Sequence, residues 1–153
     1  MTHSNGGYVV PSIPWHVDVL VKRIPDEDNL DMLNGWGETS ESMLRKVYPM
    51  CDECFTIMGN SGVVGMFGVL PEGRIWLMRG KDIDTVAFRF VRHGHEYIHK
   101  WLDKYGTLTG YINNRYHKFL RFLLWEGFIL SDAGRGYLQV TLESKKTAEE
   151  VAI

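Results

Sequence analysis

Two short patterns hold residue types that do chemistry. His95-Glu96-Tyr97-Ile98-His99 matches H-E-x-x-H, in which two histidines one helical turn apart ligate zinc and the glutamate activates a water. Such a zinc needs a third ligand, and Glu126 is the one that the next helical stretch offers. Six histidines in a chain of this length supply the pattern readily by chance, and His95 and His99 fall at or beyond the edge of the apolar stripe of their helix. His93 and His99 read as solvent-facing residues, and no metal ligand is assigned. Cys51 and Cys54 form a lone C-x-x-C. A redox dithiol belongs at a helix start after a strand, and a structural zinc needs a second ligand pair. Here a helical pattern precedes the pair and a strand follows, so two reduced cysteines are expected.

Composition narrows the field. The 153 residues suffice for one domain with its own core, and 44% hydrophobic with 24% charged residues is ordinary for a globular protein. A net charge of −2 leaves no basic footprint for nucleic acid. No apolar run of about 18 residues is present, and the first residues lack a basic start and an apolar centre. Neither nucleic acid nor membrane is expected as a partner, and the chain is expected in a cytoplasm.

The elements that must position these patterns follow from periodicity. Residues 1–14 read as an extended N-terminal arm, broken by Gly6, Gly7, Pro11 and Pro14. Its Tyr8, Val9, Val10 and Ile13, with Trp15, are apolar enough to dock on a partner or to fold back on their own domain. Trp15 to Ile24 alternates and reads as a first strand. Pro25 and three acids open a helix through about Leu33, and Thr39 to Ser42 caps a second, closed by Pro49. Phe55 to Met58, Val63 to Leu70 and Arg74 to Met78 are strands parted by turn residues. Asp84 to about Tyr105 is the longest helix, with Ala87, Phe90, Val91, Gly94, Ile98, Trp101, Leu102 and Tyr105 on one stripe.

Asn113 and Asn114 suit the N-cap of the next helix, Tyr116, Phe119, Leu120 and Leu123 give its stripe, and Gly127 suits its end. Phe128 to Leu130 and Tyr137 to Leu142 then form a closing hairpin. Residues 143–153 are a charged tail. Trp125 lies opposite its helix's stripe and Trp36 between two glycines, so both join the arm residues as candidate interface anchors.

The unit from Thr109 to Phe128, with asparagine before its helix and Gly127-Phe128 after it, resembles the last strand-helix-strand unit of the GNAT acetyltransferase fold. The element order βααβββαβαββ over residues 15–142 agrees. The resemblance implies an α+β, three-layer GNAT-like domain whose central mixed, mostly antiparallel sheet is flanked by helices. With the flanks Trp76 to Gly80 and Trp101 to Leu108, the chain looks more narrowly like the small GNAT-like internal virion proteins of short-tailed phages.

In GNAT enzymes an Arg/Gln-x-x-Gly-x-Gly/Ala loop holds the pyrophosphate of acetyl-CoA. Here Arg79 starts that pattern, but Asp82 and Asp84 stand at its glycines. The family's usual acid, a tyrosine four residues before the helix-ending glycine, is Leu123, and strand Arg74 to Met78 carries no base. The expectation is therefore a phage virion structural or morphogenesis protein, an internal or head–tail adaptor component without catalytic residues or cofactor, whose partners are other virion proteins or copies of itself. The alternative is an acetyl-CoA-dependent N-acetyltransferase with an atypical cofactor loop.

Overall fold

Seven strands form one mixed sheet in the order β1-β2-β3-β4-β5-β7-β6, with every neighbouring pair antiparallel except β4 and β5. In chain order the elements are β1 (Tyr8–Pro11), α1 (Pro14–Val21), α2 (Asp26–Trp36), α3 (Ser40–Val47), β2 (Glu53–Gly59), β3 (Gly62–Leu70), β4 (Arg74–Arg79), α4 (Ala87–Tyr105), β5 (Thr107–Asn113), α5 (His117–Glu126), β6 (Ile129–Gly134) and β7 (Tyr137–Glu143). The structure is a computed structural model that describes residues 7–83 and 87–145, the side chains of residues 87–92 excepted. Part of the expected α4 stripe, Ala87, Phe90 and Val91, therefore lies outside the described side chains, as Asp84 lies outside the described residues.

Helices cover both faces of the sheet, which gives the expected three-layer α+β arrangement. On one face α4 and α5 bring Ile98, Trp101, Leu120, Phe122 and Leu123 against Phe67, Val69, Leu108, Ile112 and Val140. On the other, α1 and α3 press Val17, Leu20 and Leu44 on Val63, Met66 and Met78. Strand β3 is buried almost end to end because it is covered on both sides. Gly94 sits where α4 crosses α5, and a Cβ there would meet the Phe122 ring at 3.3 Å. Among the described residues no helix is long and apolar enough to cross a membrane.

The first 24 residues depart from the expected elements. Trp15 to Ile24 is not a strand but contains helix α1, and the first strand is Tyr8–Pro11, inside the expected arm. That strand pairs antiparallel with Phe55–Met58, so the arm adds an edge to its own domain's sheet. The error has a physical source. Val17, Val19 and Val21 alternate, yet Val17, Leu20 and Ile24 also recur at helical spacing, and these three are the buried ones. Pro14 fits the first helical position, where its missing N–H costs nothing.

His16 completes the helix start. Its Nδ1 accepts the Ile13 amide at 3.1 Å and lies 2.8 Å from the Thr56 hydroxyl, which in turn reaches Ser12 at 2.7 Å. An Nδ1 that accepts an amide hydrogen is unprotonated. Burial holds the His16 pKa below its ordinary value.

The asparagine caps also move. Helix α5 begins at His117 with Tyr116 as its cap, and no side chain caps it. Asn113 instead ends β5, where its Oδ1 accepts the Arg115 amide at 3.0 Å, and the Asn114 amide donates to the Gly136 carbonyl at 2.9 Å. Their short polar side chains make a turn between strand and helix. Gly127 does end α5 as expected, in the left-handed region at φ 103°.

Two outcomes follow for stability. Gly110 lets β5 approach β4, since a Cβ there would lie 2.9 Å from the Ile75 carbonyl oxygen; Gly110→Ala is expected to lower unfolding free energy by about 1–3 kcal/mol in urea titrations. Unfolded His16 titrates near pH 6.5 and the folded ring below that, so its contribution is complete above about pH 6.5 and declines as pH falls through the window beneath. His16→Gln is expected to flatten the stability profile in that window. Superimposable profiles between about pH 6.5 and 5 would show that the ring carries no such linkage.

Candidate functional site

The site forms where β4 and β5 part. Six residue pairs join β3 to β4 and seven join β5 to β7, but β4 and β5 share one register pair, Arg74 with Thr109, at their N-terminal ends. Beyond Gly110 the two strands run on without register partners across the seam, which leaves strand edges between Leu77–Arg79 and Ile112–Asn113. Backbone amides and carbonyls at such an edge are ready to pair with an extended ligand.

A charged cluster closes the C-terminal mouth of the seam. Arg79, the last residue of β4, grips Asp28 of α2 with both edges of its guanidinium, Nε to Oδ2 at 2.7 Å and Nη2 to Oδ1 at 2.9 Å, and reaches Glu27 at 3.2 Å. Its guanidinium also lies over the Tyr116 ring, 4.5 Å from the centroid. Arg115 joins from the β5–α5 turn, bonded to Asp31 and 3.4 Å from Glu27.

Two guanidiniums thus face the three carboxylates of Glu27, Asp28 and Asp31. The Asp28 hydrogen bonds raise the Arg79 pKa further above its already high value. Burial, and then the Asp28 carboxylate, push the Tyr116 phenol up, so it stays protonated at neutral pH. The acids in the first turn of α2 were legible as helix-dipole partners. Their pairing with Arg79, 51 residues away in sequence, had no local signal.

The loop after Arg79 is folded tightly on the domain. The Gly80 amide donates to the Val64 carbonyl at 2.7 Å, the Lys81 amide to Arg23 at 2.8 Å, and the Ile83 amide to Gly80 at 3.3 Å. Ile83 is buried against Gly65. Asp82 points outward and accepts from the Ser61 hydroxyl at 3.1 Å. These three amides are committed to the protein's own carbonyls, in keeping with a loop that departs from the glycine pattern.

The remaining sequence candidates fall elsewhere. Leu123 is buried in the α5 core and carries no acid chemistry. Cys51 and Cys54 are free thiols where a short 3₁₀ turn gives way to β2. The Cys54 hydrogen bond lowers the Cys51 pKa, helped by the Trp76 indole N–H at 3.2 Å, whereas the same bond and burial raise that of Cys54.

His95 and His99, expected at or beyond the edge of their helix's apolar stripe and without a metal role, are exposed but converge with Glu126 on one point between α4 and α5. Glu96 lines a cleft with Tyr8, Val9, His93 and Tyr97. Of the candidate interface residues, Tyr8, Ile13 and Trp15 are exposed, Val9 and Val10 are partly covered in β1, and Trp125 is 75% exposed. Trp36 packs edge-on against Tyr111 and Tyr137, with ring centroids 5.1 and 5.5 Å apart.

No protein-family model matches the sequence, and no curated protein sequence matches it. Solved structures do. A spermidine N-acetyltransferase from Vibrio cholerae, in complex with CoA and spermine, is 9% identical with a TM-score of 0.61, covering 95% of this chain and 99% of that one. A ribosomal-protein-alanine N-acetyltransferase from Brucella melitensis is 9% identical with a TM-score of 0.63, covering 90% and 99%. A Bacillus subtilis acetyltransferase in complex with CoA is 13% identical with a TM-score of 0.58, covering 91% and 98%.

These relatives overturn the expectation of a phage virion structural or adaptor protein, since the structures that share this fold are acetyltransferases. Nothing among them supports a virion role, and the CoA complexes run against the expectation of no cofactor. Strand order, the single parallel seam and these likenesses agree that the chain has the GNAT fold.

Proposed function

We propose that the protein is an acetyl-CoA-dependent N-acetyltransferase with an atypical phosphate end. The observation that carries the reading is the β4–β5 seam, joined at Arg74 and Thr109 alone and lined beyond that by unpaired strand edges. An extended acyl-pantetheine arm carries amides of its own and suits such an edge. The likeness to N-acetyltransferases over nine-tenths of the chain supports the same choice.

The fit differs along the length of that ligand. Leu77 and Ile112 offer the seam apolar walls, and the protonated Tyr116 phenol stands at its mouth beside Asp28. The phosphate end lacks the usual cradle, because the Gly80, Lys81 and Ile83 amides are already bonded. Arg79, Arg115 and the exposed Lys81 are the cations nearest that end, and the first two are held by carboxylates. The acid-rich start of α2, Asp26 to Asp31, favours a cationic amine as acetyl acceptor by simple charge complementarity.

Acetyl-CoA at a hundredfold excess over its dissociation constant is expected to stabilise the fold by about 2.7 kcal/mol, a melting shift of roughly 5–10 °C for a chain of this size. Thiol release from acetyl-CoA in the presence of a polyamine or an N-terminal peptide amine reads the transfer itself. Absence of both the shift and the thiol would sink the proposal. Asp28→Asn is expected to cost about 1–3 kcal/mol of stability, because it strips a buried partner from Arg79. The same change frees a guanidinium for phosphate, so acetyl-CoA affinity is expected to rise several-fold in calorimetry; a fall would mean that Asp28 orients Arg79 for the ligand.

A further inference from the structure

We propose that His95, His99 and Glu126 form a site for one divalent transition-metal ion, zinc by preference, that ties α4 to α5. The inference does not depend on the acetyl-transfer reading. His95 and His99 are four residues apart on α4, so their rings lie on one face with centroids 4.1 Å apart, tilted 58° to each other. Glu126 is the last residue of α5 and meets them from the neighbouring helix. Its Oε1 lies 2.7 Å from His95 Nδ1 and its Oε2 3.8 Å from His99 Nε2. One ligand atom from each of the three falls within 4.8 Å of the others.

These separations suit a metal. Zinc holds nitrogen and oxygen at about 2.0–2.2 Å, which places tetrahedral ligand atoms about 3.3 Å from one another. The observed 2.7 and 3.8 Å run to different oxygens of Glu126, and rotation of the two exposed rings brings both nitrogens within reach of an ion held by one of them. The burial pattern points the same way. The Glu126 side chain is 2% exposed, whereas those of His95 and His99 are 48% and 57% exposed.

A buried carboxylate calls for a cationic partner, and its two oxygens face these two rings. A cation shared by all three satisfies the carboxylate and both imidazoles at once and leaves a fourth position open to solvent. Two histidines and one carboxylate are a recognised three-ligand zinc set.

The site is not a peptidase centre. That chemistry needs the glutamate of H-E-x-x-H at the metal-bound water, and Glu96 lines a different cleft with Tyr8, Val9 and Tyr97. The ion would act as a clip that pins the end of α5 to the middle of α4.

The test uses the full chain, stripped with EDTA and dialysed, then titrated with zinc chloride at pH 7.5. One equivalent is expected to bind saturably and raise the melting temperature, with reversal by EDTA. His99→Ala is expected to weaken binding at least about tenfold. It should leave the metal-free melting temperature nearly unchanged, because that ring is exposed and its contact with Glu126 is long. Glu126→Gln should weaken binding to a similar degree. His93→Ala, on the same helix but facing the other cleft, should not. No saturable binding, or binding that survives His99→Ala, would overturn the site. Loss of binding on Cys51→Ser with His99→Ala unaffected would place the zinc on the cysteines and overturn it equally.

Discussion

A parallel strand pair fastened at one end sets the terms for the rest of this molecule. Parallel neighbours cannot be joined by a tight turn, so the chain must leave β4, cross the sheet and return to the start of β5. The 19 residues of α4 make that crossing, a helix about 28 Å long. Gly73, Gly106 and Gly110 draw the N-terminal ends of β4 and β5 together by admitting backbone where a Cβ would clash or by taking positive φ. Nothing equivalent draws the other ends together, and the strands part.

What closes the open end is electrostatic. Arg79 and Arg115 come from opposite sides of the seam, one ending β4 and the other following β5, and both reach the first two turns of α2. Asp28 lies almost wholly buried between them. A buried ion pair of this kind is a poor source of net stability, because desolvation offsets most of its Coulomb gain. Its consequence here is specificity of arrangement. Helix α2 is held over the mouth in one register, and any anionic ligand entering the seam must compete with the carboxylates for the same guanidiniums.

The sequence carried the fold unevenly, and the reasons are local. Residues 53 to 143 read well because strand alternation, turn glycines and two amphipathic helices all agree with the sheet that forms. The first 24 residues read poorly. Three valines at every second position hid a helix whose burial is set by His16, Val17 and Leu20, and a strand of four residues pairs only because β2 offers it an edge. The mouth cluster was invisible because its members lie far apart in sequence and meet through tertiary contacts alone. The histidines were seen but set aside, since periodicity places a side chain on a helix face and does not say what the next helix brings to it. Resemblance led correctly to the fold and misled about function, because the fold is shared far more widely than any one role.

Helices α4 and α5 pack on the same face of the sheet, on either side of the seam. Helix α4 packs Trp101 on Phe55 and Phe67 of the first four strands, while α5 packs Phe122 and Leu123 over the last three. With the seam pinned at a single register pair, these two helices are the principal bridge between the two parts of the sheet. The Gly94–Phe122 crossing fixes the distance between them, and His95 with Glu126 fixes their rotation.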